Sequence, residues 1–545
     1  MNIGRSSFIL ASGTAVSRVL GFVKTILLTM TIGSTASTAA TAFGIANTLP
    51  NNIYALIGAG AVNAVLVPLI VRQLRTRDGG EAYISKLLTL CVTAFFIFTV
   101  LITLAAPGLV WINADTSDRG LSPEAFELAV ALAYWCLPQI FFYAIYTLLG
   151  EIYNARGQFG PYTWAPVVNN IVTIAGLALF LVIFGGAEVN RDPLIWGMDR
   201  IAAMGIVSTG GVAAQALVLV LFFRKTGMRF RFDFRWRGVG LRSAGVKASW
   251  LLGVVVISQI VAIVQTRVAT LGSADGPSLL TMYNAWYIFQ LPHSIIAVSI
   301  AIVFFTQMSN HAADNDIPKL RQDTSTALRA IGMLTTFSAV VLIVVAVPLA
   351  RPFEDGIFDY AVIMATLVTA NALHLVAFSG QYVLERVSYA LEDTRTPFMA
   401  RLAFLPVSLL ALWAASLFPS EYIILAVVSF IALQNTIYAA LWLVIVRRKI
   451  GAFGIRRVAL RHLVYLGLAI PAGAAGAVVV WLLGGYSDGW AHIGVFPAAV
   501  TCAAAGVVML AIYFGALFLF RDPDLRLVTD KLVTRFRRGR GAPAE

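Results

Sequence analysis

The chain reads as long apolar stretches separated by short polar breaks. A helix needs about 20 apolar residues to cross a bilayer core. Stretches that meet this lie at roughly 7–33, 38–72, 84–112, 125–152, 161–185, 201–224, 245–272, 278–309, 323–350, 357–386, 396–418, 421–447, 459–484 and 491–520. Fourteen membrane-spanning helices are therefore expected. The second, eighth and tenth stretches exceed a minimal span, which calls for tilt, kinks or extension beyond the bilayer. Pro50, Pro68 and Pro292 lie in such stretches and can kink them.

Composition agrees with this pattern. The 545 residues are 59% hydrophobic and 12% charged, with a mean hydropathy of +0.82. A soluble chain has roughly a quarter of its residues charged. An integral membrane protein is expected, and the rule of one soluble domain per ~150 residues does not apply. Arg18 interrupts the first apolar stretch and no A-x-A-like site follows clearly, so that stretch reads as a retained first helix.

The polar breaks alternate in sign. With a cytoplasmic N-terminus, the breaks and chain ends on the cytoplasmic side hold 32 of the 40 Lys and Arg. They include Arg72, Arg75 and Arg77, the block RKTGMRFRFDFRWRGVGLRSAGVK (224–247), RRKIGAFGIRRVALR (447–461) and the tail 521–540. The opposite breaks hold Arg119, Arg191, Arg200 and Arg351 among acids such as Asp115, Asp118, Glu188, Asp192, Glu354, Asp355 and Asp488. This is a positive-inside pattern with both termini cytoplasmic. The net charge of +13 thus records topology and contact with the inner leaflet, not nucleic acid.

Four cations remain inside the apolar stretches: Arg18, Lys24, Arg267 and Arg329. Arg329 lies near a cytoplasmic helix end and is expected to snorkel. A charge near the bilayer centre costs at least a few kcal/mol and faces a polar cavity or a partner. Arg18 and Lys24 are separated by about 9 Å of helical rise and about 120° of rotation, so both can line a wide cavity. Ser17, Gly21 and Lys24 share one face. The deep parts of the expected helices contain almost no Asp or Glu; Glu151, Glu385, Glu392 and Asp393 fall near cytoplasmic ends. Cations without internal anions call for an anion supplied from outside, and a diphosphate suits Arg and Lys together. Helix-end snorkelling with carbonyl contacts is the alternative.

The first and seventh stretches both carry buried positive charge, and each opens a set of six. The expected organisation is an N-lobe over 1–224, a basic linker over 225–248, a C-lobe over 249–447, two extra helices over 448–520 and a basic tail over 521–545. Six plus six helices is the layout of two-lobed transporters. Cys91, Cys136 and Cys502 read as small packing residues. The five histidines have no metal-ligand spacing, and no nucleotide-binding loop or catalytic triad signature is visible, so no cofactor and no enzyme activity are expected.

Several pieces together carry a family resemblance. SRVLGFVK (17–24) is followed by ANTLPNNIYALIGAGAVNAVLVPLI (46–70), GEIYNARGQFGPYTWAPVVNNI (150–171), YIFQLPHSIIAVSIAIVFFTQMS (287–309) and YALEDTRTPFMAR (389–401). With the fourteen-helix count, these resemble the MurJ/MviN family of lipid II flippases, in the style of its actinobacterial branch. The resemblance implies the two-lobed fold of the multidrug/oligosaccharidyl-lipid/polysaccharide exporter superfamily. It implies a cationic cavity for the diphosphate and sugars of undecaprenyl-linked peptidoglycan precursor, lipid II. Helices 13 and 14 would form a groove for the lipid tail. Transport would run by alternating access from the inner to the outer leaflet of the bacterial cytoplasmic membrane. Lipid II, membrane lipids and cell-wall synthesis or division proteins are the implied partners.

By the same resemblance, Arg18 matches the family's helix-1 arginine and Lys24 a second basic position. Thr25 stands where many members have aspartate, and Asn51 matches the LPN asparagine. Tyr54 stands where many have an arginine, and Tyr287 and Gln290 where others have arginine and glutamate. Arg267 is expected to restore part of the missing charge, and Ser17 joins the set from Lys24's face. Tyr54 and Tyr287 suit hydrogen bonding or stacking on sugars, or packing at an interface. A flippase for another polyprenyl-linked glycan, a multidrug antiporter of the same superfamily and a non-transporting scaffold remain alternatives. Coupling to membrane potential, Na+ or H+ is left open.

Overall fold

In the computed structural model, residues 3–58, 80–156, 158–228, 230–235, 245–272, 276–354 and 356–526 are described. Helices dominate, and no strand occurs among the described residues beyond one isolated bridge, Ser34 to Ala36. The chain divides into two compact units, Met1–Leu280 with Pro419–Glu421, and Thr281–Phe418 with Tyr422–Glu545.

Unit 1 contains α1 (Ile3–Ile32), α2 (Thr38–Ile57), α3 (Glu81–Leu104), α4 (Ala106–Asn113), α5 (Pro123–Cys136), α6 (Gln139–Ala155), α7 (Phe159–Phe184), α8 (Met198–Leu221) and α9 (Gly245–Thr270). α7 is the centre of one layer, packed on α1 and α8, while α2 packs on α5 and α9. Ser37 starts α2 by accepting a hydrogen bond from the Ala40 amide, which satisfies one of the orphan donors of the first turn.

Pro166 lies inside α7 and has no N–H for the Tyr162 carbonyl four residues back. The Tyr146 hydroxyl of α6 donates to that carbonyl at 3.3 Å, and the two tyrosine rings stack at 5.1 Å. Asn169 and Asn170 follow on α7. The Asn169 amide donates to Gln215 Oε1 of α8 at 2.8 Å.

Unit 2 contains most of α10 (Leu279–Pro292), then α11 (Val298–Ala313), α12 (Ile317–Val344), α13 (Phe358–Leu373), α14 (Leu375–Ala390), α15 (Arg395–Ser416), α16 (Ser420–Ile450), α17 (Ile455–Leu482) and α18 (Val495–Leu519). One apolar cluster, around Phe304, Leu328, Val383, Phe404, Tyr438 and Trp442, joins α11, α12, α14, α15 and α16. A second, around Met333, Tyr465, Met509 and Tyr513, seats α17 and α18 against α12.

Twelve helices among the described residues are long and apolar enough to cross a membrane, or thirteen if the bent pair Ala346–Phe353 with Phe358–Leu373 forms one span. Two differences separate this from fourteen. The second expected crossing, 38–72, is described only to Gly58, so Pro68 and residues 59–79 lie outside the described residues. The tenth, 357–386, is split at His374 into α13 and α14, each shorter than a span. The eighth crossing runs from Leu279 to Ala313, with a wider π-helical turn over His293–Ala297 just after Pro292.

α9 opens the expected C-lobe in sequence, yet it groups with unit 1. It packs on α2 and α4, and Thr270 Oγ1 accepts a hydrogen bond from the Asp115 amide at 2.9 Å.

Arg329 corrects a sequence expectation. It does not snorkel: the side chain is buried, and its Nε donates to Asp524 Oδ1 at 3.0 Å. Asp524 Oδ2 also accepts from the Tyr465 hydroxyl at 2.6 Å and Arg461 Nε at 3.1 Å, and Arg461 pairs with Asp522. The segment after the last helix thus folds back with two buried carboxylates. An apolar-stretch reading misses them because they lie outside every stretch.

Candidate functional site

Arg18 and Lys24 both lie on α1, in the segment Ser12–Ile32 that meets the length and composition of a span. Small and polar residues let α1 approach α7. Asn170 Nδ2 donates to the Ser17 carbonyl at 2.8 Å and to its hydroxyl at 3.3 Å. Gly21 lies one turn on, where an added Cβ would come within 3.8 Å of the same amide nitrogen. Asn170 is near the middle of the 26-residue α7, so the contact fixes Ser17, and with it Arg18, at mid-depth. Thr25 turns inward on its own helix and donates to the Gly21 carbonyl at 2.9 Å.

The two cations differ from their apolar neighbours. Val16, Val19 and Val23 are exposed, as expected of a lipid- or cavity-facing surface, while Arg18 and Lys24 are half-buried. Lys24 has no carboxylate and no hydrogen-bond acceptor among the described residues. An ammonium in that position is costly unless something else meets it.

On α2, Asn51 is exposed. Tyr54, one turn on, donates its hydroxyl to Thr147 Oγ1 of α6, and its ring lies 5.7 Å from that of Tyr143. Tyr54 is thus part of a tyrosine-rich face shared by α2, α6 and the start of α7. Sequence reasoning found Tyr54 but not its partners Tyr143, Tyr146 and Thr147. Their spacing along α6, within one and two turns of each other, was the available signal.

Arg267 departs from the picture of a deep unpaired cation. It stands in the last turn of α9. Its Nη1 donates to the Trp111 carbonyl at 2.9 Å, its Nε lies 3.5 Å from Asp115 Oδ2, and its guanidinium lies 5.7 Å from the Trp111 ring. The partner acid sits in the break after α4, on the acidic side of the sequence pattern.

In unit 2, Tyr287 on α10 is 61% exposed and Gln290 is half-buried. Neither is held by a hydrogen bond among the described residues. The motif LEDTR is held at the other end of the unit. Asp393 accepts from the Thr396 amide at 2.9 Å and from its hydroxyl, and pairs with Lys449 of α16. The structure therefore joins Ser17 to Asn170 and Tyr54 to Thr147. It ties Arg267 to Asp115.

Long apolar helices in two units define a polytopic membrane protein. Solved structures share the fold. "Lipid II flippase MurJ, inward closed conformation" matches with a TM-score of 0.67 at 19% identity, over 94% of this chain and all of that one. An inward-facing multidrug resistance MATE family transporter of the MOP superfamily matches at 0.59 and 16% identity, over 82% of this chain and 98% of that one. The family described as "Lipid II flippase MurJ" matches residues 30–501, and the chain belongs to it. Relatives include the Haemophilus influenzae "Probable lipid II flippase MurJ", 26% identical over 93% of this chain and 97% of that one. The Burkholderia cenocepacia "Lipid II flippase MurJ" is 25% identical over 75% of this chain and 78% of that one.

Proposed function

We propose that this protein moves lipid II, an undecaprenyl-diphosphate-linked peptidoglycan precursor, from the inner to the outer leaflet of the cytoplasmic membrane by alternating access. Arg18 and Lys24 meet the diphosphate part-way across. The observation that carries this reading is Lys24: it is half-buried at a span's interior, on a helix anchored by Asn170, with no anion among the described residues. A diphosphate supplies that charge, and Arg18 can add a bidentate contact. Asn51, Tyr54 and Ser17 of unit 1 supply neutral polar and aromatic groups suited to sugars and peptide amides. Outward movement of an anionic head group is favoured by an inside-negative potential, at about 2.3 kcal/mol per charge per 100 mV; coupling to Na+ or H+ would act in addition.

Arg267 joins this site only if Asp115 releases it. Undiminished flipping by Arg267→Ala removes it from the set.

The test is complementation. The native flippase of a related bacterium is depleted, this chain or its Arg18→Ala form is expressed at matched levels, and lipid II in the outer leaflet is assayed. Restored exposure by the parent and not by Arg18→Ala is expected. Failure of both moves another polyprenyl-linked glycan or a drug to the front. Success of both removes the cation from the mechanism.

A further inference from the structure

A cavity of ≈ 1050 Å³ opens in unit 1 where α3 begins and α8 ends, the end that carries the basic residues. Leu88 and Val92 of α3, Ile145 and Leu148 of α6 and Val220 of α8 form its walls. Its remaining side is the chain that follows α8. Gly227 takes a left-handed φ of +79°, which glycine adopts without strain, and turns the backbone back on itself. The next residues run extended along α3: the Arg231 amide donates to Ser85 Oγ at 3.4 Å and the Asp233 amide to Thr89 Oγ1 at 3.1 Å. Ser85 and Thr89 are one helical turn apart, so the strap climbs α3 from its first turns toward the apolar part of the helix.

The strap alternates. Phe230, Phe232 and Phe234 follow one another at ring separations of 4.8 and 6.3 Å, and Phe232 and Phe234 are exposed. Between them stand Arg231 and Asp233, and Arg235 follows. Asp233 is taken by Arg235 at 2.9–3.0 Å. Two guanidinium groups, Arg224 and Arg231, line the cavity, and no carboxylate does. Neither has an ion-pair partner among the described residues.

The cavity is open, with apolar walls and a polar side formed by the two guanidinium groups. At a bilayer edge the available filler is an acyl chain, and two unpaired guanidinium groups at the same cavity select a phosphate beside it. We propose that this cavity is a binding site for an anionic phospholipid of the surrounding membrane, its acyl chain between α3, α6 and α8 and its head group on Arg224 and Arg231. The proposal does not rest on the identity of the transported lipid.

The test uses two lipids with the same chains. The full chain, purified in detergent, is titrated with dioleoyl phosphatidylglycerol and, separately, with dioleoyl phosphatidylcholine, and bound lipid is read by native mass spectrometry. Melting temperature confirms that each variant is folded. The parent is expected to retain phosphatidylglycerol about tenfold more strongly, the weight of a charge-assisted contact. Arg224→Gln with Arg231→Gln is expected to lower it to the phosphatidylcholine level. Val92→Trp, which fills the cavity, is expected to lower retention of both lipids. Equal retention of the two lipids by the parent overturns the proposal. So does a preference that survives the double Gln change, or retention that Val92→Trp leaves untouched.

Discussion

The side-chain amide of Asn170 holds Ser17 by both its carbonyl and its hydroxyl, at 2.8 and 3.3 Å. This contact helps tie the helix that bears Arg18 and Lys24 to the helix that bears Pro166. Asn170 is the asparagine of the A-P-x-x-x-N pattern, whose alanine and proline are Ala165 and Pro166.

Replacing that amide separates positioning from charge. Asn170→Ala removes two hydrogen bonds at a buried contact and is expected to cost about 1–2 kcal/mol of stability. Flipping in the complementation assay is expected to fall, because α1 loses its fixed depth relative to α7. A melting temperature lowered by several degrees with unchanged flipping would show that α1 keeps its place without Asn170.

Lys24 carries the opposite expectation. An ammonium without an internal partner destabilises the resting protein by up to a few kcal/mol. Lys24→Gln is therefore expected to melt at the same or a higher temperature while losing flipping, and Lys24→Arg to keep most of it. Loss of both stability and flipping in Lys24→Gln would point to an internal partner.

The buried pair of Arg329 and Asp524 behaves differently from either. Removing Asp524 leaves the buried Arg329 guanidinium with only the Ser325 and Thr326 hydroxyls among the described residues, at a cost of about 3–5 kcal/mol. Asp524 without Arg329 keeps Arg461 and Tyr465 and loses less. Asp524→Leu is expected to lower the melting temperature markedly and Arg329→Met less, and the double change to recover much of the larger loss. Additive losses in that cycle would show that the two groups act independently.

Asp393 links stability to pH. Burial alone would raise its pKa, but the Lys449 ammonium and the two Thr396 donors outweigh it and hold the carboxyl at about 2, against an ordinary 3.8. A carboxyl depressed in the folded state stabilises above its unfolded pKa, and that contribution is lost as pH falls from about 4 toward 2. Asp393→Asn is expected to cost about 1 kcal/mol at neutral pH, given the partial exposure of the pair, and to flatten that part of the acid melting curve. An identical acid profile in the variant would remove Asp393 from the response.

Much of this architecture was legible in the spacing of apolar residues, because the bilayer requires each crossing to be long, apolar and internally hydrogen-bonded. The positions of α3, α7, α8, α17 and α18 follow from length alone. What escaped was pairing. Arg267 and Asp115 are about 150 residues apart, and Arg329 and Asp524 farther still, so no local pattern joins them. The break at His374 escaped too, since an apolar run does not reveal where its backbone stops being helical. Of the candidate site, Arg18, Lys24 and Tyr54 were visible as departures from an apolar pattern or from a family motif. Asn170 stood inside a quoted motif, and only the packing of α1 on α7 gives it a task.

Two proline sites in the protein share one construction. Pro166 deprives the Tyr162 carbonyl of its partner, and the Tyr146 hydroxyl of the adjoining helix answers it. Pro348 stands four residues after Val344, and the Tyr486 hydroxyl answers that carbonyl at 2.7 Å. A proline bend in hydrocarbon usually leaves a bare oxygen and with it a soft joint. Here each joint is braced from a second segment, like an elbow set in a splint. Each proline site thus keeps its freed carbonyl hydrogen-bonded through a second segment, and any local movement there has to break a bond to that segment.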